Sequence, residues 1–341
     1  MKVFKRIIVW VAVSLAIQFA GLFYINNYFL SSQTEIKTKK VLKSEPKKED
    51  AVIKIPQDAK NVSVSFDGKY LAYYQGDILK VVDSKTGDEK NVEFKDGVKV
   101  SFYKWLKDRN RMLIAEKEDS NGSSKFNLSY YEADKDIKED IKELDWSDKN
   151  AQIDDIQESP FTNVIYVKME SKGRRTNIYR INIMNDMQKI STRSYIIGKI
   201  GILSLDDKLI YGDDIYHNIY VTGRENPITI KGVKNPTWIG SDENDKIYIG
   251  DEENGKISNI YYGNINTDEN NYGNINLNQS VDKDDIFVMP SGKIYINDNL
   301  KGVVTEVGTG KQYTYKGNFI QIFEGGIASI SNGQLEKASL N

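Results

Sequence analysis

A chain of 341 residues with 39% hydrophobic residues has the length for one large or two ordinary domains and the apolar content for a packed core. Its 47 basic and 49 acidic residues nearly balance, which argues against a nucleic-acid binder with a basic face. The absence of cysteine excludes disulfides, thiol nucleophiles, thiolate metal sites and lipid attachment at an N-terminal cysteine, and a single histidine, His217, removes most zinc, haem and catalytic-triad schemes.

Charge is uneven along the chain. Residues 1–50 carry nine Lys/Arg against four acids, +5, so the remainder carries −7 to give −2 overall. Lys2, Lys5 and Arg6 precede an uncharged run that begins at Ile7 and meets no charge until Glu35. Its apolar heart, Ile7 to Ile25, is 19 residues, close to the ~20 that a helix needs to cross the hydrocarbon core. The preceding positive cluster favours a cytoplasmic N-terminus. A cleaved signal peptide is the rival reading, but Ala16 and Ala20 lack a second small residue in register for an A-x-A-like site. The expected organisation is therefore a basic cytoplasmic end at 1–6, a single-pass signal anchor at 7–30 and everything beyond it outside the membrane. Residues 31–50, with Lys37, Lys39, Lys40, Lys43, Lys47 and Lys48, read as a solvated Lys-rich tether. It acts as a spacer, or alternatively touches anionic membrane or wall polymers.

An internal repeat follows. Val62–Phe66, Tyr70–Tyr74 and Ile78–Asp83 are β-branched and aromatic runs separated by Asp67-Gly68-Lys69 and Gln75-Gly76-Asp77, connections only long enough for hairpins. Equivalent turn-then-strand units begin their second strands at Tyr70, Met112, Val164, Leu209, Ile247, Ile294 and Ile327, at intervals of 42, 52, 45, 38, 47 and 33 residues. That period belongs to four-stranded propeller blades. The expected fold is all-β, a β-propeller over residues 51–341 preceded by a single transmembrane helix. Seven blades fit best, with six or eight as alternatives because the 52-residue interval contains an irregular stretch, Asp134 to Asn150. The last unit has about three strands, and Ala51–Ile55 is the expected segment to complete it and hide the ring's edges.

Ser65-Phe66-Asp67-Gly68-Lys69-Tyr70-Leu71-Ala72-Tyr73, with Thr86-Gly87 after the third strand, resembles the blade repeat of TolB-type and dipeptidyl-peptidase-IV-N-terminal-type propellers. Leu205–Tyr211 and Pro290–Ile296 match it in part. The resemblance implies a propeller and carries no catalytic residue. Family members are partner-binding modules or gates of a separate hydrolase domain, and no G-x-S-x-G elbow follows the last unit here.

In such a ring the residues just before each inner strand lie near the channel rim: Asn61, Lys99, Asp155, Lys199, Asn235, Asp285 and Asn318. Lys99, Asp155, Lys199 and Asp285 are the candidate binding residues, for a polar or zwitterionic ligand, against the plainer reading of solvated loop ends. The acid pairs Asp154-Asp155, Asp206-Asp207, Asp213-Asp214 and Asp284-Asp285 contain the groups for cation or glycoside chemistry, but neighbours on a strand point to opposite faces. His217 reads as a hydrogen-bonded loop residue, and most of the 21 tyrosines as packing between sheets. No cofactor or metal is expected.

The function these features predict is non-catalytic: a membrane-anchored extracytoplasmic propeller that binds a protein partner in a bacterial cell envelope, in secretion, wall or surface-polymer assembly. The alternative is a sensor that takes a glycan or peptide at the channel mouth, and a carboxylate-dependent hydrolase or lyase is a more distant third.

Overall fold

The computed structural model describes residues 2–25, 51–95, 97–120, 123–146, 148–171 and 173–340. The expected tether at 31–50 and the end of the expected anchor at 26–30 lie outside them. Two units are present, one up to Glu49 and one from Asp50.

The first is a helix, α1 (Lys2–Tyr24), with one further helical residue at Ile25. No face of the run is polar, and its described apolar side chains are exposed. From Phe4 to Tyr24 it is long and apolar enough to cross a membrane: 21 residues at ~1.5 Å each span about 30 Å.

The second unit is a seven-bladed β-propeller. Blade 1 is β1 (Lys60–Val64), β2 (Tyr70–Gln75), β3 (Ile78–Asp83) and β4 (Glu89–Val92). Blade 2 is β5 (Lys99–Trp105), β6 (Arg111–Ser120), β7 (Ser123–Glu132) and β8 (Ile137–Trp146); blade 3 is β9 (Gln152–Glu158), β10 (Ile165–Ser171), β11 (Arg175–Ile181) and β12 (Met187–Ile190). Blade 4 has β13 (Ile197–Ile202), β14 (Leu209–Asp213) and β15 (Ile219–Val221), and its fourth strand is reduced to one bridge, Ile219 with Ile228. Blade 5 is β16 (Pro236–Ser241), β17 (Ile247–Glu253), β18 (Lys256–Gly263) and β19 (Gly273–Asp282); blade 6 is β20 (Ile286–Val288), β21 (Ile294–Asp298), β22 (Val303–Glu306) and β23 (Gln312–Thr314). Blade 7 is β24 (Asn318–Phe323), β25 (Gly326–Ser331) and β26 (Gln334–Ser339). Every blade is an antiparallel meander. The irregular stretch from Asp134 holds β8, the fourth strand of blade 2, so the long interval comes from ten-residue strands rather than an extra one.

Beside β26 runs the segment before blade 1. Lys54 bridges Gln334, the Ile55 N–H donates to the Gly333 carbonyl (2.8 Å), and Leu335 N–H donates to the Ile53 carbonyl (2.9 Å). Ile53 and Ile55 are buried with Leu71, Tyr73 and Ala328, which joins blades 7 and 1.

A blade is apolar on both faces because each sheet is packed between two others. One hydrophobic cluster accordingly fills each junction: Trp105 with Tyr70 between blades 1 and 2, Ile156 with Leu113 between 2 and 3, Tyr166 with Ile200 between 3 and 4, and Trp238 with Ile210 between 4 and 5. Ile286 with Tyr248, and Ile322 with Tyr295, fill the next two. Each fully buried aliphatic side chain contributes roughly 1.5–3 kcal/mol, so the ring is held mainly by these seven interfaces. Gly68, at φ +70 in the first-hairpin turn of blade 1, serves both turn and closure, since a Cβ there would strike the Phe323 ring.

The first strands of the blades face the axis. Six of them, all but the short β20, carry a register shift against the second strand. These bulges increase local twist and re-aim side chains along the channel wall.

Candidate functional site

The channel has a start mouth, where the inner strands begin, and a turn mouth, where they end in the first hairpin turns. Meander topology places the connections between blades, and the second hairpin turns, on the start side.

At the start mouth Lys199 pairs with Asp284 at 2.7 Å, reaching from blade 4 past blade 5 to the 3-10 turn Lys283–Asp285 before β20. The lysine holds the Asp284 carboxyl below its ordinary value. Asp285 accepts from the side-chain amide of Asn297 (3.2 Å), and burial pushes its carboxyl up, reinforced by Asp282, Asp284 and Asp298. Lys99 is an exposed residue at the first position of β5.

Asp155 is not at a strand start. Its inner strand begins earlier, at Gln152, and Asp155 stands midway down the channel, bound to Lys104 of blade 2 at 2.8 Å and to the Gln157 amide at 2.9 Å. Likewise Lys199 is the third residue of β13. Asp154 is the extra residue of the β9 bulge, lying between Asp155, opposite Lys168, and Ile153, opposite Met169. It pairs with the buried Lys168 at 2.9 Å, and Lys168 also donates to the Gly198 carbonyl of blade 4 at 2.8 Å. Burial raises the Asp154 carboxyl, and Lys168 opposes that. The four candidate residues therefore do not converge on one site: Asp155 belongs to the middle of the channel, Lys199 and Asp285 to the blade 4–6 rim, and Lys99 to blade 2. Among the described residues no group of three or more His, Asp or Glu is arranged to hold a metal ion. His217 is exposed, at φ +54 in the turn after β14, and its N–H donates to the Asp213 carbonyl (3.0 Å).

The turn mouth differs. Its hairpin turns are tied to one another: Asn110 to Asp67 (3.0 Å), Arg109 to Asn163 (2.9 Å), and Ser159 to the Ser204 carbonyl (3.4 Å). Leu205 and Asp206 N–H groups donate to Asp245, Glu243 N–H to the Pro290 carbonyl (2.9 Å), and Glu324 N–H to the Phe66 carbonyl (2.7 Å). Within this frame lies a cavity of about 230 Å³, walled by residues of blades 2 to 6, among them Ile156, Ile202 and the exposed Phe161. Lys104, Lys107 and Arg109 reach it from blade 2. Sequence reasoning took the strand starts and overlooked these strand ends; the signal was the run Lys104, Lys107, Arg109 closing the second inner strand.

A third feature is a surface on the start side of blades 3 and 4. Arg174, Arg175, Arg193, Tyr195, Ile215 and Tyr216 are all exposed there. Arg175 lies over the Tyr195 ring (5.6 Å), Arg174 pairs with Asp214 (3.1 Å), and Thr176 N–H donates to the Tyr195 carbonyl (2.8 Å), so the loops form one patch. Four of the eight arginines of the chain fall between 174 and 193, a clustering visible in the sequence.

Comparison with solved structures finds the same fold. A chain in a crystal structure of the mitotic checkpoint complex is similar over 85% of this chain and 91% of its own, with a TM-score of 0.53 and 11% identity. The β-propeller domain of Myceliophteria thermophila Cps50 (Swd1) is similar over 85% and 98%, with a TM-score of 0.49 and 11% identity. Dipeptidyl peptidase 4 of Porphyromonas gingivalis is similar over 74% of this chain and 44% of its own, with a TM-score of 0.47 and 12% identity. No protein-family model and no curated protein sequence matches the chain. The first of these likenesses agrees with the propeller fold, and the function is left to the chain's own surfaces.

Proposed function

We propose that the chain is a non-catalytic, membrane-anchored binding module whose propeller stands outside a bacterial cytoplasmic membrane and docks an envelope protein. Kinship with TolB-type propellers belongs to the same proposal and rests on the Ser65–Tyr73 turn sequence. The observation that carries docking is the exposed Arg175, Tyr195 and Tyr216 patch on blades 3 and 4. Arginine and tyrosine dominate the energetics of protein interfaces, because each offers a large contact area with few rotamers to freeze or a rigid fork of donors. Its net positive charge fits an acidic partner surface. The anchor reading is supported by the uncharged run of α1 from Ile7 to Tyr24 and the basic Lys2, Lys5 and Arg6 at its start.

The test is proximity labelling from the propeller in intact cells, native against Arg175→Ala/Tyr216→Ala. A small reproducible set of envelope proteins, depleted at least tenfold by the double substitution, is the expected result. Labelling that is unchanged by the substitution, or that never exceeds background, refutes docking at this patch. Retention of the unprocessed N-terminus in the membrane fraction checks the anchor; a mature chain beginning after residue 20 makes it a signal peptide instead.

A further inference from the structure

The turn-mouth cavity lies on the other side of the ring from the arginine–tyrosine patch, and its charges are unequally satisfied. Lys104 is held by Asp155 (2.8 Å). Arg109 is held by Glu158, whose side chain is 4% exposed, and by Asn163. Asp242 is engaged by its own turn, accepting from Asn244 N–H (2.9 Å), Lys246 N–H (3.0 Å) and the Tyr248 hydroxyl (3.1 Å). Lys107 alone among the cavity's cations forms no ion pair with any described residue, although it stands between Lys104 and Asp108 at the end of the inner strand. Lys107 is exposed as a residue, but protein crowds its ammonium and pushes it down to about 8; Lys104 adds to that and Asp155 opposes it.

An unpaired cation beside an apolar wall defines its ligand by chemistry. A carboxylate supplies the missing counter-charge, and an apolar body against Phe161, Ile156 and Ile202 supplies contact area that a free inorganic anion lacks. The volume, about 230 Å³, lies just under the roughly 300–1,000 Å³ of ordinary ligand sites, room for one aromatic or branched group rather than an extended chain. Because the turns around it are tied blade to blade, the site is preformed. We propose that the turn mouth binds a carboxylate carried on an apolar group, with Lys107 as its counter-ion and Phe161 as its lip. Free organic acids and the C-terminal residue of a peptide share this chemistry.

The proposal is independent of docking on blades 3 and 4, and its test reads a different residue. The full chain in lipid nanodiscs is treated with sulfosuccinimidyl acetate, and acetylation of Lys107 is followed by peptide mass spectrometry. N-acetylphenylalanine is expected to protect Lys107 at least fivefold and N-acetylphenylalaninamide to leave it unprotected. A tetrapeptide ending in a free phenylalanine protects at tenfold lower concentration if the natural ligand is a peptide end, and no better than the amino acid if it is a small acid. Calorimetric binding of N-acetylphenylalanine is lost in Lys107→Met and weakened in Phe161→Ala. Equal protection by acid and amide, no protection by either, or unaltered binding to Lys107→Met overturns the proposal. Lys107 and Phe161 are exposed, so both variants retain the fold, which circular dichroism checks.

Discussion

The two mouths of the channel are made by the same inner strands and are held by different forces. On the start side, and below it, charged side chains bind one another: Lys199 with Asp284 and Lys104 with Asp155 across blades, and Lys168 with Asp154 inside blade 3 while it also reaches the Gly198 carbonyl of blade 4. On the turn side, the Arg109–Glu158 pair apart, the hairpins are tied largely through backbone groups and short polar side chains, and Lys107 forms no ion pair with any described residue. The difference teaches where ligand chemistry remains. A charge already neutralised by a neighbour holds the ring, whereas one that the scaffold leaves unpaired is available to something else.

The largest effect expected from breaking this contrast is at the middle of the channel. Asp154→Asn strips the counter-charge from Lys168, which is 7% exposed, while leaving its second acceptor, the Gly198 carbonyl. Removing one partner of a fully buried pair costs roughly 3–5 kcal/mol. With Asp154 about a third exposed and an acceptor remaining, a loss of about 2 kcal/mol is expected, read as a lower urea midpoint with unchanged m-value. A loss below about 0.5 kcal/mol means that water in the channel already solvates Lys168.

Next comes the turn side. Asp67 accepts from the Ser65 hydroxyl (2.8 Å) and Lys69 N–H (2.9 Å) within its own turn and from Asn110 of blade 2 (3.0 Å). Asp67→Ala removes all three and leaves the buried Asn110 amide without this acceptor. About 1–2 kcal/mol is expected, and the loss in a double-mutant cycle with Asn110→Ala isolates the tie between the turns from the turn itself.

The same contrast explains what could be read from sequence. Blade number and order were legible because each hairpin turn announces itself locally, Asp67-Gly68 in blade 1 and Ser291-Gly292 in blade 6, and because the strands between are β-branched and aromatic. The helix was legible because nothing charged interrupts Ile7 to Ile25. The channel residues were harder, since a bulge changes which side chain faces the axis without changing composition. Alternation sends Asp154 and Asp155 to opposite faces, but the register shift between Ile153 and Asp155 makes Asp154 an added residue, and the two acids acquire separate lysines from blades 3 and 2. Lys107 was illegible for a further reason: its lack of an ion pair among the described residues is a property of where the neighbouring acids point, and those directions are set by strands distant in the chain, such as β9 and β16.

The smallest effect is the most discriminating. The Lys107 ammonium is lowered from the ordinary 10.5 to about 8, first by burial and then by Lys104, with Asp155 opposing. A lowered lysine makes the folded state release its proton before the unfolded chain does. Below pH 8 both states are charged and the folded state carries the whole cost; between 8 and 10.5 the unfolded chain binds more proton, so stability rises with pH. Lys107→Met should therefore raise the urea midpoint at pH 7, and its advantage should shrink from pH 8 upward and vanish above about 10.5. Because the residue as a whole is exposed, the gain is on the order of 0.5 kcal/mol. Lys104, Asp155, Asp108, Arg109, Glu158 and Glu243 surround the position. A destabilised Lys107→Met at pH 7 gives the opposite sign and means that one of those carboxylates reaches the ammonium in solution; the turn mouth would then be closed by its own charges like the channel above it.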